Sequence, residues 1–269
     1  MYPVIFSFGG ISIYSFGLMM GISFIIANVL LTRELKRKKI NPEFGSTITL
    51  LALVGGVSGS KILYLIENWK EFAANPIGMA FSPGGLTFYG GFIVATTLVY
   101  FFTKKEKIKF LQVADAAAPS MLLAYGIARI GCHLAGDGDY GFPTSLPWGT
   151  DYSHGTYPPS FAFRGFPEIT SKYPFGVVPD TTLCHPAPMY EFIICIILFY
   201  FLWKNRTTII GDGKIFMLYL LFAGAERFTI EFIRVNERLL FGLSEAQLIA
   251  VVLMVVGAIG YNRIATSKT

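Results

Sequence analysis

Arg129, Arg227, Glu231 and Arg234 are the side chains of this sequence best suited to do chemistry on a charged group. Arg129 opens the run Arg129-Ile130-Gly131-Cys132-His133-Leu134-Ala135-Gly136-Asp137-Gly138-Asp139-Tyr140-Gly141, which sets an arginine, a histidine and two aspartates among glycines. Arg227, Glu231 and Arg234 follow i, i+4, i+7 spacing, so on a continuous helix they share one face. The planar fork of arginine donors matches phosphate oxygens in pairs, and the pattern therefore suits an anionic phosphate. His133, with an ordinary pKa near about 6.5, and Asp137 are candidate proton acceptors beside it.

The elements that must position these groups are apolar. Of 269 residues, 53% are hydrophobic and 14% charged, with a mean hydropathy of +0.55. An ordinary soluble domain carries about 25% charged residues. Disorder, a collagen-like fibre and a conventional cytosolic enzyme are excluded. Long apolar runs bounded by charge predict an all-α polytopic membrane protein with seven transmembrane helices, over Ile11–Leu31, Ser46–Ile66, Leu86–Phe102, Leu111–Leu134, Met189–Trp203, Lys214–Ile233 and Ala246–Tyr261.

The loops sort by charge. Arg33, Lys36, Arg37, Lys38 and Lys39, then Lys104, Lys105, Lys107 and Lys109, then Lys204, Arg206 and Lys214, and finally Arg263 and Lys268 make 14 of the 22 Lys/Arg, all on one side of seven spans. The opposite loops hold only Lys70, Arg164, Lys172 and Arg238. The positive-inside rule then places the N-terminus outside and the C-terminus in the cytoplasm. It also accounts for the net charge of +5 without nucleic acid. The long segment Ala135–Pro188, rich in Gly, Pro, Tyr and Ser, becomes an extracytoplasmic cap inserted in a single membrane-embedded domain, 1–269. The N-terminal MYPVIFSFGG lacks the basic leader of a cleavable signal.

Lys61, Arg129, Arg227 and Arg234 remain inside spans, each in the outward half. Such residues are costly in a bilayer and are usually partnered and functional. A phospholipid phosphate is the anion available at that depth. Gly55, Gly56 and Gly59 form a small-xxx-small pattern for close helix packing. Ser82-Pro83-Gly84-Gly85 and Tyr89-Gly90-Gly91 flank the mouth of the third span, where glycine-rich backbone can offer N–H groups to a ligand. Cys132, Cys184 and Cys195 form neither a disulfide framework nor a metal pattern, although Cys132 and Cys184 fall on the same side.

Further landmarks complete a family pattern. Tyr14, Gly17, Leu18 and Met19 open the first span, Gly84-Gly85-Leu86 precedes Phe88 and Gly90-Gly91, and Arg129-Ile130-Gly131 ends the fourth. His185-Pro186 with Tyr190-Glu191, Arg227-Phe228 with Glu231 and Arg234, and Leu243-Ser244 with Gln247 follow in order. Over essentially its whole length the chain resembles the bacterial prolipoprotein diacylglyceryl transferases. That resemblance implies a multi-pass protein of the bacterial cytoplasmic (inner) membrane. It implies transfer of the diacylglyceryl group of phosphatidylglycerol to the lipobox cysteine thiol of a prolipoprotein, with release of glycerol phosphate. It also implies no cofactor, metal or nucleotide. Tyr89 stands where many members carry histidine, Cys132 where the signature has asparagine, Asp137 where it has glutamate and Phe16 where tyrosine is frequent.

The roles expected are these. Arg129 and Arg227 clamp the lipid phosphate and stabilise the leaving group. Glu231 orients an arginine, with Arg234 as its second partner, and Lys61, Tyr14, Gly90 and Gly91 contribute to substrate binding. Tyr89, His133 and Asp137 are the alternatives for the thiol proton, with Tyr89 also a headgroup contact. His185 ties the cap to the fifth span. The partners are phosphatidylglycerol, membrane lipid and a prolipoprotein signal peptide, with the protein a monomer and its active site toward the outer leaflet. Two rivals use the same residues differently. A lipid or solute transporter would bind its cargo at the cationic cluster, but the chain shows no internal repeat. Gly56-Val57-Ser58-Gly59 fits the nucleophile pattern of an intramembrane protease, which would need a histidine on a nearby span.

Overall fold

The computed structural model describes residues 1–82 and 87–264, Ile11 by its backbone alone. Pro83, Gly84, Gly85, the expected span start at Leu86, and Lys268 lie outside the described residues. The chain is mostly helical. Strands β1 (Val4–Phe8) and β2 (Ile11–Tyr14) precede α1 (Ser15–Arg37), α2 (Phe44–Glu67), the short α3 (Trp69–Ala74) and α4 (Pro76–Ala80), α5 (Phe88–Lys105) and α6 (Phe110–Ala135). Then come β3 (Thr150–Asp151), α7 (Pro159–Ala162), α8 (Pro167–Thr170), β4 (Leu183–Cys184), α9 (Ala187–Asn205), α10 (Lys214–Ile230) and α11 (Glu245–Arg263).

Five helices, α1, α2, α6, α9 and α11, are long and apolar enough to cross a membrane. α5 and α10 occupy the other two expected spans with 18 and 17 residues. α5 ends on Lys104 and Lys105, and α10 begins on Lys214, which lowers the apolar content of each. The all-α expectation needs one correction. β1 and β2 form an antiparallel hairpin, and β3 pairs with β4. Ile11–Tyr14 is therefore strand rather than the start of the first helix. Apolar residues alternating with Ser7 and Ser12 on either side of Gly9-Gly10, both with positive φ, favour a hairpin turn there.

The residues form two compact units, Asn28–Ala116 and Met1–Ala27 with Ala117–Thr269. In the first, α2 and α5 pack backbone to backbone. A Cβ on Gly90 would stand 2.2 Å from the Gly59 carbonyl oxygen, and one on Gly55 2.8 Å from the Ala95 Cα. The small residues thus serve helix contact, as the spacing suggested. Near the other end of this unit Lys38 Nζ meets the buried Asp115 carboxylate at 3.5 Å.

In the second unit, α10 and α11 approach as closely. A Cβ on Gly224 would lie 2.7 Å from the Ala250 carbonyl, and one on Gly257 2.6 Å from that of Met217. α6 stops at Gly136, whose φ of +58° suits a residue without a Cβ and whose N–H donates to the Cys132 carbonyl at 2.9 Å. Between α6 and α9 the chain builds a small core from Tyr140, Tyr152, Phe163, Ile169, Val178 and Cys184, with Tyr140 and Tyr152 stacked at 4.1 Å. The hairpin joins the same unit: the Tyr2 N–H donates to the Leu134 carbonyl and the Ser15 N–H to that of Pro3. Cys132, Cys184 and Cys195 are free and buried, so Cys132 and Cys184 do not pair.

Candidate functional site

The arginines of the second unit meet at one carboxylate. Glu191, in the first turns of α9 and fully buried, receives Arg129 Nε from α6 at 3.1 Å, Arg227 Nη1 from α10 at 3.4 Å and Arg234 Nη1 at 3.7 Å. The Tyr125 hydroxyl, one turn before Arg129, donates to Glu191 Oε1 at 2.9 Å and accepts from Arg129 Nη2 at 2.9 Å. Asp139 forms a second bridge, its two oxygens paired with Arg129 Nη1 and Arg234 Nη2. Glu231 forms a third, with Oε2 2.8 Å from Arg227 Nη2.

The site therefore holds three arginines against Asp139, Glu191 and Glu231, three cations for three anions. The expected cluster held Glu231 as its one acid; Asp139 and Glu191 are added to it. Arginines at zero exposure would leave uncompensated charge in an apolar medium, so acids from other elements must accompany them. Arg129 and Arg227 keep 16% and 25% of their side-chain surface, which leaves both within reach of an incoming anion.

Arg227 and Glu231 pair at i, i+4 as expected, but Arg234 does not share their face. α10 ends at Ile230, and the next residues turn to form an antiparallel bridge between Arg234 and Gly141. Phe142 N–H to Ile233 O at 3.0 Å and Gly141 N–H to His185 O at 2.9 Å close this junction. That backbone bridge, two residues past Asp139, carries Arg234 to Asp139 and Glu191. Glu231 takes Asn236 Nδ2 at 2.5 Å and the Ser244 hydroxyl at 2.8 Å as its other partners, in place of Arg234.

The proton-acceptor candidates separate. His133 Nδ1 lies 3.0 Å from the hydroxyl of the buried Tyr152, whose ring meets the imidazole edge to face. Asp137 accepts the Asp139 N–H at 3.3 Å, and burial together with the Asp139 charge holds its carboxyl above the usual carboxylate range. Asp139 behaves oppositely. Burial alone would raise it, but Arg234 and Arg129 hold it down at about 2. Cys132 Sγ and carboxylate oxygens of Asp137 and Asp139 lie within 4.8 Å of one another, a spacing that would suit a metal. Both Asp139 oxygens are already on guanidinium groups, and Cys132 Sγ takes Arg129 Nη1 at 3.5 Å. Tyr14 ends β2 with its side chain exposed.

Four candidates belong to the unit Asn28–Ala116. Lys61 Nζ donates to the Ser82 carbonyl and hydroxyl at 3.0 and 2.8 Å, which fastens α2 to the loop before α5. Tyr89 sits in the first turn of α5, 38% exposed, with its ring against Phe88. Gly90 and Gly91 are buried against Gly59, Gly56 and Ser60 of α2. The Ser58 hydroxyl donates to the Val54 carbonyl of its own helix at 2.6 Å, so it is engaged by backbone as helical serines commonly are.

Sequence reasoning passed over Glu191 and Asp139 as site residues. Glu191 ends the motif that begins at His185, and its signal is that a glutamate inside an apolar run needs a cation as much as an arginine needs an anion. His185 behaves as expected. Its Nδ1 lies 3.3 Å from the Tyr190 hydroxyl, which also accepts from Trp148 Nε1 at 2.8 Å, and this ties the inter-helix segment to α9.

A family model for prolipoprotein diacylglyceryl transferase matches residues 3–263. A phosphatidylglycerol–prolipoprotein diacylglyceryl transferase of Clostridium tetani is 30% identical over 264 residues, covering 97% of each chain. Proteins of the same name from Leptospira interrogans and Dehalococcoides mccartyi are 27% and 29% identical, over 91% and 94% of this chain and 86% and 89% of their own. A match over nearly the whole chain, together with an arginine–carboxylate centre built from the same motifs, settles the grouping: the chain belongs to the prolipoprotein diacylglyceryl transferase family.

Proposed function

We propose that the protein transfers the diacylglyceryl group of phosphatidylglycerol to the lipobox cysteine of a prolipoprotein, forming a thioether and releasing glycerol phosphate. The observation that carries this reading is the convergence of Arg129 and Arg227, from different helices, on Glu191 with part of each side chain still exposed. Lipid phosphate approaches the exposed edge of the two side chains and takes their remaining N–H groups. As the C–O bond breaks, negative charge grows on the phosphate, and donors already fixed by Glu191, Asp139 and Glu231 stabilise it without reorganising. Arg234 holds Asp139 in place for Arg129.

A free thiol, with pKa about 8.5, is only a few per cent thiolate at neutral pH, so a proton acceptor is needed. Of Tyr89, His133 and Asp137, Asp137 is best placed in this unit. Burial makes its carboxylate more basic than a free one, and it adjoins Cys132 and the Arg129–Asp139 pair. Tyr89 and Lys61 are assigned to the lipid headgroup, with Gly90 and Gly91 holding α5 on α2 so that Tyr89 keeps its position; Tyr14 is assigned to the lipid mouth.

The topology goes with this reading. Seven helices cross the bacterial inner membrane with the N-terminus outside, the C-terminus cytoplasmic and the site in the outer leaflet, in keeping with the loop charges. The segment 135–188 caps the site on the outer side, and the chain acts as one monomeric domain. The test is transfer from labelled phosphatidylglycerol to a lipobox peptide by purified wild type, Arg129→Ala and Arg227→Ala, with Asp137→Asn, His133→Gln and Tyr89→Phe in parallel. Loss of transfer in both folded arginine variants supports the clamp, and near-normal transfer in either overturns it.

A further inference from the structure

The start of α11 is wired into the site. Ser244 caps that helix: its hydroxyl accepts the Gln247 N–H at 3.3 Å while Gln247 Oε1 accepts the Ser244 N–H at 3.1 Å. A capping box needs only the acceptor side of the hydroxyl. Here the hydroxyl proton goes to Glu231 Oε1 at 2.8 Å, with Ser244 2% exposed and Glu231 and Gln247 fully buried. Asn236 Nδ2 donates to the same oxygen at 2.5 Å, and the other oxygen faces Arg227 Nη2 at 2.8 Å. Arg238 braces the corner, donating to Gln247 Oε1 at 2.7 Å and to the Glu231 carbonyl at 3.2 Å.

We infer that Ser244 and Asn236 are positioning residues for Arg227: they pin one oxygen of Glu231, so the other can hold the guanidinium at a fixed angle. Without these donors the carboxylate is free to rotate about its last bond, and Arg227 loses its orientation while keeping its charge. Burial sharpens the effect, because no bulk water is at hand to replace a missing donor. The inference rests on the transferase reading, in which Arg227 acts on the charge that develops at the phosphate.

Ser244→Gly separates the two duties of the residue, since glycine is a tolerable N-cap but has no hydroxyl to donate. In the full-length protein with phosphatidylglycerol and a lipobox peptide, Ser244→Gly is expected to lower kcat about tenfold with KM for the lipid within about twofold. Its thermal midpoint falls by several degrees while the protein stays folded at the assay temperature, and Ser244→Thr restores kcat. In a Glu231→Gln background the same change adds less than about a twofold loss, because residues acting through one partner are not additive. Unaltered kcat in Ser244→Gly, or a full tenfold further loss on top of Glu231→Gln, overturns the inference. Should Ser244→Gly fail to fold, Asn236→Ala removes the other donor from outside the helix cap and must give the same kcat loss and the same non-additivity; otherwise the inference falls. A wild type without transfer refutes the transferase reading and this inference with it, whereas an active wild type beside an unaffected Ser244→Gly refutes the inference alone.

Discussion

Glu191→Gln isolates the charge at the centre of the site, because glutamine keeps the shape of the side chain and still accepts from Tyr125. Three guanidinium contacts at 3.1, 3.4 and 3.7 Å lose their anion. At an effective dielectric of about 20, each such pair attracts by roughly 4–5 kcal/mol, and the cost of burying the carboxylate offsets most of the sum. What remains is the penalty for leaving three mostly buried cations short of one partner, about 3–5 kcal/mol of stability. For a chain of this size that corresponds to a fall of about 6–20 °C in the thermal midpoint. The centre would also change from three cations and three anions to one excess positive charge, so an anionic lipid should raise the midpoint of Glu191→Gln more than that of wild type. Thermal unfolding in detergent, with and without added phosphatidylglycerol, measures both. A midpoint lowered by less than about 2 °C, or an equal lipid effect on both proteins, would refute the reasoning.

Asp139 predicts an acid dependence. Its folded pKa, about 2, lies below its ordinary value of 3.8, so the unfolded chain binds the proton more readily and about 2 kcal/mol of stability, full above pH 5, is lost as pH falls toward 2. Asp137, shifted the other way, opposes this, so the measurement is the difference between wild type and Asp139→Asn in denaturant titrations over that range. Gly90→Ala would place a Cβ 2.2 Å from the Gly59 carbonyl, and a loss of about 1–3 kcal/mol is expected from forcing α5 off α2, read by thermal unfolding. Gly136→Ala imposes a side chain at φ +58° with its Cβ 2.7 Å from the Gly155 Cα, and should cost about 2–4 kcal/mol with transfer activity retained per folded molecule.

The helices were legible because apolar runs with charged ends carry their own signal, and Arg129 and Arg227 stood out as cations within such runs. The carboxylates were harder. Glu191 lies 62 positions after Arg129 (191 − 129) and Asp139 lies in an irregular segment, and nothing in local spacing says that the two converge on the same arginines. Arg234 was misplaced for a related reason. The i, i+7 rule assumes that a helix continues, and α10 stops at Ile230 because the chain beyond it pairs with Gly141, a contact almost a hundred positions away in sequence. The Gly9-Gly10 hairpin was obscured by the hydrophobicity of its strands, which extends the apolar run of α1 without a break. Gly90 and Gly91 illustrate the opposite error. Glycine suits a ligand and a neighbouring helix equally well, and only the distances to α2 show which neighbour is present.

The pairing of Arg129 with Glu191 also constrains how the molecule is made. During synthesis Arg129 leaves the ribosome long before Glu191 exists, and in the finished chain the two are paired, with Glu191 fully buried. Until α9 arrives, α6 carries a cation that hydrocarbon disfavours by roughly 2.5–3.5 kcal/mol, so it has reason to linger near water or at the insertion machinery. Lateral release of the early helices and their assembly with the late ones are thereby tied into a single event, and a nascent chain cut short before α9 would be left with a helix unable to settle at its final depth.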